Sequence, residues 1–403
     1  MLFGDILKLI DDKTFIDEIL IKAKNGVQID KFEACLLMNS SGMELFKLLE
    51  VAHSLSTSFH GNMVTYSPKV FIPLTNLCRD RCGYCTFVKG PRQEDAHTML
   101  PEEVMKVATE GYKLGCLEAL FSLGDHPEWR HKSMVSKLKY LGYKSTPDYV
   151  AGMSQLVLKE TGLLPHTNCG ILDDSELDAL RESNVSLGLM IESTSEALFK
   201  RGGAHYGTES KHPSLRVDML ARAGKKQIPM TTGILVGIGE TVSDRVDSFF
   251  AIKSVHEEYG NIQEVIIQNF RPKLQTRMSN NSYPHLIGML KTLAVGRIVL
   301  GKEMNIQAPP NLNDEGHQSY LMAGINDWGG VSPLTKDFIN PEAPWPDLKR
   351  LESESNEFGF NLVERLCLYP EYVINSQQWL TYKLSEIVNS YVDSTGFPQI
   401  RRN

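Results

Sequence analysis

The hydrophobic rhythm of the chain changes near residue 60. Before that point apolar positions recur at helical spacing, as at Phe32, Cys35 and Leu36 and again at Leu45, Leu48 and Leu49, which predicts an N-terminal helical cap over residues 1–60. From Val70 onward short apolar runs alternate with amphipathic stretches. Strands are predicted at 70–76 (VFIPLTN), 117–124 (LEALFSLG), 165–170 (PHTNCG), 185–193 (VSLGLMIES), 228–237 (IPMTTGILVG), 264–270 (EVIIQNF), 305–310 (NIQAPP) and 324–329 (GINDWG). The intervening segments read as helices. PEEVMKVATEGYKLG has proline in its first turn with acids beside it, TPDYVAGMSQLVLKETG ends at Gly162, and DSELDALRES opens on residues suited to an N-cap. VSDRVDSFFAIKSVHEEYG and HLIGMLKTLAVGRIVLG follow.

Strand and helix in alternation imply parallel strands joined by right-handed crossovers. Eight such strands are what a closed barrel needs, so the expected fold is α/β: a (β/α)8 TIM-type barrel, complete or incomplete, over residues 61–330. An open doubly wound sheet is the other arrangement this pattern allows. In a barrel the chemistry gathers at the strand C-termini. Residues 331–403 open on a stretch rich in proline and charge (SPLTKDFINPEAPWPDLKRLESE) and are expected to form a C-terminal extension packed on the barrel surface, with a final helix.

Composition narrows the function classes. With 42% hydrophobic and 23% charged residues, the chain matches an ordinary globular protein. Its formal net charge of -7 leaves no basic footprint for a nucleic-acid backbone. No apolar run reaches the roughly 18 residues of a membrane span, and the opening MLFGDILKLIDD is too acidic for a signal peptide. A cytoplasmic protein with neither a nucleic-acid nor a membrane partner is expected.

The seven cysteines are unevenly spread. Cys35, Cys116, Cys169 and Cys367 are isolated in apolar surroundings and read as small buried hydrophobes. Cys78, Cys82 and Cys85 stand together as C-x3-C-x2-C directly after the first barrel strand, a spacing that no helix or strand requires. Thiolates are soft ligands for iron–sulfur clusters or zinc. With only three local thiols, one iron of a [4Fe–4S] cubane would lack a protein ligand, and the amino and carboxylate groups of an amino acid could chelate it. That would place the sulfonium of S-adenosylmethionine (SAM) beside the cluster. A structural zinc site and an electron-transfer cluster are the competing readings; both usually take a fourth protein ligand.

The C-x3-C-x2-C motif, with Tyr84 before its last cysteine, resembles the signature of the radical SAM superfamily. That resemblance implies that Tyr84 lies against the adenine and that Gly124 and Asp125, ending LFSLGD, contact the methionine amino group. Gly-Asp is also good turn material. Glu192 in MIEST could bind the ribose hydroxyls or cap a helix. Gly237 and Glu240 belong to GILVGIGE, which resembles the superfamily's adenine-side motif, although glycines at a strand–helix junction also serve tight turns. Gln268, Asn269 and Arg271 in QNFR and Asn311 in QAPPNL offer amides and a guanidinium for a polar heterocycle. The eleven histidines show no metal-binding spacing, and no catalytic role is expected of them.

Longer stretches narrow the resemblance. HGNMVTYSPKVFIPLTNLCRDRCGYCTF, EALFSLGDHPE, ETGLLPHTNCG, TTGILVGIGET, IQEVIIQNFRPK, QAPPNL and DWGGVSPLT are similar to the 7,8-didemethyl-8-hydroxy-5-deazariboflavin (FO) synthases of coenzyme F420 biosynthesis, from about residue 60 to about 375. Some FO synthases are one long chain with two cluster motifs; the single motif here resembles the separate ring-closing subunit, subunit 1. The resemblance implies a lyase that takes the hydroxybenzyl–ribityliminouracil adduct, joins its rings and releases ammonium. It also implies a second subunit supplying that adduct and a low-potential electron donor. Cys78, Cys82 and Cys85 carry over as cluster ligands, Tyr84, Gly124, Asp125 and Glu192 as SAM contacts, and Gln268, Asn269, Arg271 and Asn311 as contacts to the uracil and ribityl groups. Two departures stand out: Cys169 where the pattern has proline, and His126 where a basic residue is usual. Other radical SAM barrel enzymes, of biotin-synthase or aminofutalosine-pathway type, are the alternatives.

Overall fold

The structure, a computed structural model, describes residues 13–313 and 316–399; the part of the expected cap over residues 1–12 lies outside them. Among the described residues the strands are β1 (Met63–Thr75), β2 (Glu118–Leu123), β3 (Leu164–Asn168), β4 (Ser186–Gly188), β5 (Met230–Val236), β6 (Ile262–Asn269), β7 (Ile306–Gln307), β8 (Asp327–Val331) and β9 (Asn361–Glu364). Strands β1 to β8 pair in parallel in sequence order, and β1 closes the ring by pairing with both β8 and β2. The fold is a closed (β/α)8 barrel.

Strand β1 is longer than the pattern predicts because its two halves have different neighbours. Lys69–Thr75 pairs with β2, whereas Met63–Tyr66 pairs with β9. Strand β9 thus covers an edge that β2 is too short to reach, and an uncovered edge would expose a row of unpaired backbone groups. The predicted fourth strand shrinks to Ser186–Gly188, and the unpredicted helices Lys132–Leu141 and Pro213–Lys225 fill two crossovers.

Helix ends follow local chemistry. Ser145 caps Thr146–Thr161 by accepting from the Asp148 N–H, and Gly162, at φ +75°, ends it. Asp173 with Glu176 and Thr241 with Asp244 form capping boxes. The helix Leu286–Leu300 is buried nearly all round, because the barrel lies on one side and the N-terminal helix Met43–His60 on the other.

The C-terminal segment does more than wrap the surface. Leu366, Leu368, Tyr369 and Trp379 pack with Leu117, Leu158, Leu164 and Val185 at the N-terminal mouth of the barrel. Arg365, 2% exposed, enters that mouth and donates to both Asp327 oxygens at 2.6 and 2.8 Å and to Glu264 at 3.1 Å. Partners of this kind offset the cost of burying a guanidinium. Cys116, Cys169 and Cys367 are buried and Cys35 half-buried, all as free thiols.

Candidate active site

The cysteines lie in the loop after β1, which neighbouring segments hold in place. Gly83 donates to the Ala204 carbonyl at 2.7 Å, Arg79 N–H to Asp125 at 2.9 Å, and Met278 N–H to Gly83 at 3.2 Å. Arg130 and Arg277 bond the carbonyls of Arg79 and Arg81 at 2.5 and 2.9 Å. The Cys78 sulfur accepts the backbone N–H groups of Asp80 and Asp125 at 3.3 and 3.2 Å. Gly124 is required there: a Cβ would run into the Leu77 carbonyl and the Cys78 side chain. Burial pushes the Cys78 and Cys82 thiols up to about 12, so binding iron means displacing protons.

All three cysteines open onto a cavity of about 320 Å3. Its other lining residues include Tyr84, Gly124, Asp125 and Glu192, with Lys211 and Arg216 beside them. Among the described residues that line it, no further Cys or His offers a fourth soft ligand. The three thiols would hold a cubane by three of its irons and leave the fourth without a protein ligand from the described lining.

The Glu192 backbone is left-handed, at φ +63°, a conformation costing about 1–3 kcal/mol for a non-glycine residue. Bonds to Gly233 and Leu235 of β5 hold it there, and its carboxylate meets Lys211 at 2.6 Å. Tyr84 packs near Leu235, Phe270 and Met278, with its hydroxyl 3.1 Å from His205 Nε2. Burial, then Lys211 and Arg216, pushes His205 down to about 2, so its imidazole is neutral.

The Asp125 carboxylate accepts from Ile171 N–H at 3.0 Å and lies 2.8 Å from His126 Nδ1 and 2.7 Å from Arg79. Burial opposes the charge on His126, but Asp125 and Glu176 outweigh it and raise its pKa to about 9. The unusual histidine thus carries the positive charge the pattern leads one to expect.

Gly237 and Glu240 do not line the cavity. Glu240 accepts the N–H groups of Gly237 and Ile238, both at 2.8 Å, and pairs with Arg245 at 2.7 Å; the two residues shape the loop after β5. Asn269 and Arg271 line the cavity but spend a donor each on the Leu312 carbonyl. Gln268 also lines a second cavity, of about 170 Å3, inside the barrel. Asn311 lines that second cavity alone, with its Oδ1 buried and without a partner among the described residues.

Sequence reading missed the charged residues of this inner cavity. Lys69 and Ser67 bond Glu118 at 2.8 and 2.7 Å, His166 lies 2.7 Å from Ser186, and Glu264 accepts from Thr231 and Tyr369, both at 2.9 Å. Each stands in or beside a recognised strand. The overlooked signal was charge inside a strand whose neighbours are apolar.

A closed parallel barrel with three thiols after its first strand, facing a chamber at the strand C-termini, defines a radical SAM protein. Residues 72–252 match the family model described as the Radical SAM superfamily, whose members use a [4Fe–4S] cluster and SAM. The chain is 48% identical over 339 residues to the 7,8-didemethyl-8-hydroxy-5-deazariboflavin synthase of Methanococcus maripaludis, covering 84% of this chain and 94% of that one. It is 45% identical to the enzyme of the same name from Methanocaldococcus jannaschii, over 88% of this chain and 96% of that one. It therefore belongs to the FO synthase family. The FO synthase of Mycobacterium tuberculosis is 45% identical over 90% of this chain, which spans 44% of that longer protein. Among solved structures, HydG, a maturase of the [FeFe]-hydrogenase, shares the fold at TM-score 0.74 and 16% identity, covering 94% of this chain and 81% of that one. Methylornithine synthase (PylB) does so at TM-score 0.66 and 19% identity, covering 86% and 97%.

Proposed function

We propose that this protein closes the deazaflavin ring of FO in coenzyme F420 biosynthesis, acting as a lyase. Its substrate is the hydroxybenzyl adduct of a ribityliminouracil, whose aromatic ring becomes joined to the uracil as the amine leaves as ammonium. When bound, the cluster and SAM supply a hydrogen-atom abstractor. The protein's own residues hold and seclude the reactants: Cys78, Cys82 and Cys85 anchor the cluster, and Tyr84, Gly124, Asp125 and Glu192 surround SAM. Gln268 and Asn311 face the substrate's heterocycle. Gly237 and Glu240 act at one remove, by shaping the loop after β5.

The observation that carries this reading is that the cavity of the cysteines and the cavity of the barrel share Asn168, Ile266, Gln268, Ile339 and Asn340. SAM and a second molecule can therefore meet where the cavities join. Sulfur insertion of the biotin-synthase kind would need ligands for a further cluster, and the other cysteines stand apart. A second subunit supplying the adduct, a low-potential electron donor and a cytoplasmic setting complete the proposal.

The test is anaerobic reconstitution with iron and sulfide, reduction with dithionite, and addition of SAM and the adduct. Fluorescent deazaflavin and 5′-deoxyadenosine are expected together. Reversible reduction with neither product would mean an electron carrier, and 5′-deoxyadenosine without deazaflavin a different substrate.

A further inference from the structure

The interior of a (β/α)8 barrel is ordinarily filled by layers of branched apolar side chains. Here the inner cavity is walled near its floor by Lys69 of β1, Glu118 of β2, His166 of β3, Thr231 of β5, Glu264 of β6 and Gln307 of β7. Arg365 closes the floor from below. Lys69, Glu118, His166 and Glu264 are all less than a tenth exposed. Stability alone does not call for such a lining, since well-packed apolar residues in place of a buried ion pair are often neutral or stabilising. A ligand that uses these groups accounts for them.

The lining also says what kind of ligand. Three acids, Glu118, Glu264 and Asp327, gather at the floor with two bases, Lys69 and Arg365, which disfavours an anion. Carboxylates beside ammonium, imidazole and hydroxyl groups suit a chain of alcohols, each of which both donates and accepts. Higher in the cavity the character changes. Phe71 stacks on Trp345 with ring centroids 4.9 Å apart and planes 18° from parallel, and both line the wall with Phe338. That wall suits a flat ring. The cysteine loop contributes nothing to this inner cavity, so the end of the ligand that reacts lies up where the two cavities join.

Resting on the ring-closing function proposed above, we propose that the barrel floor formed by Lys69, Glu118, His166, Thr231, Glu264 and Gln307 is the binding site for the uncharged ribityl chain. The rings stand above it, against Phe71, and the site rejects a phosphorylated chain. The floor fixes how deep the substrate sits and so which of its carbons faces the cluster side.

Equilibrium dialysis on the reconstituted, anaerobic protein tests this with three ligands: the 7,8-didemethyl-8-hydroxy-5-deazariboflavin product, its analogue with methyl in place of ribityl, and its 5′-phosphate. Wild type is expected to hold the product at least about tenfold more tightly than either other ligand, the factor one or two hydrogen bonds supply. In the double variant Lys69→Met with Glu118→Gln, which removes both charges together, the preference over the methyl analogue should shrink below about threefold. Affinity for the analogue should stay unchanged. Thr231→Val, exchanging a hydroxyl for a methyl, should shrink the same preference and serves if the double variant fails to fold. A wild type that binds product and analogue equally, or a Thr231→Val that keeps the full preference, overturns the ribityl assignment and leaves the ring-closing function standing. A wild type that binds the phosphate as tightly as the product overturns the charge argument. Failure of wild type to bind any of the three overturns both proposals.

Discussion

The guanidinium of Arg365 grips both oxygens of Asp327, at 2.6 and 2.8 Å, inside the barrel and 38 residues away in sequence. The paired geometry is the strong form of a charge-assisted bond. The same Asp327 accepts from Thr65 of β1, so one carboxylate ties together the strands that close the ring and the segment that seals it. Removing the guanidinium while leaving the acid should be severe: Arg365→Met is expected to lose about 3–5 kcal/mol. Urea denaturation measures this, and an unchanged midpoint would mean the pair adds little.

Cys82→Ala should bind almost no iron and cleave no SAM, while its far-UV circular dichroism matches wild type, because the barrel core does not depend on the cysteine loop. Iron content and 5′-deoxyadenosine assays check both halves. Full activity in this variant would remove Cys82 from the ligand set.

Gly124→Ala tests the contact between the end of β2 and the cysteine loop. The added methyl has nowhere to go but into the Leu77 carbonyl and the Cys78 side chain, so the loop must shift. Cluster affinity is expected to fall at least about fivefold, on the reasoning that overpacking costs about 1–3 kcal/mol. Wild-type iron content would show that the loop yields easily.

Tyr84→Ala should weaken SAM binding about tenfold, since a stacked aromatic contributes about 0.5–1.5 kcal/mol beyond its buried area. Tyr84→Phe, which removes only the bond to His205, should change it far less. Calorimetric titration with SAM separates the two, and unchanged affinity in both would return the ring to a packing role.

His126 gives the stability a pH dependence. Its pKa is raised from an ordinary 6.5 to about 9 by Asp125 and Glu176, so the stabilisation is full below pH 6.5 and is lost as pH rises through 9. The loss is at most about 3 kcal/mol on that shift. Arg79 also pairs with Asp125 and lies over the Trp129 ring. Denaturation midpoints between pH 6 and 10 should fall in wild type and flatten in His126→Gln; equal slopes would refute the assignment.

What could be read from the sequence was local. Cys78, Cys82 and Cys85 were legible because their spacing serves no secondary structure, and the helix end at Gly162 because a cap and its helix are neighbours in sequence. Strand β9 was not legible, since its partner lies nearly the whole barrel away. Arg365 was not either: a lone arginine in RLCLYP reads as surface until Asp327 is placed beside it. The inward position of Lys69, Glu118 and Glu264 was obscured for another reason. Barrel strands are apolar on the face covered by helices, so the usual alternation is blurred and a charge within a strand is easily taken for its end.

The union of β1 with β9 bears on how the protein is made. Tyr66 and Glu364, which sit side by side, are separated by 298 residues, so during synthesis the first strand waits for that whole stretch to leave the ribosome. Until then Asp327 lacks its counterion and the barrel stands open at its base. Competence to hold reactants thus arrives only once the segment through Glu364 and Arg365 has been made, and a chain stopped before it leaves the edge of the first strand and the Asp327 carboxylate without these partners.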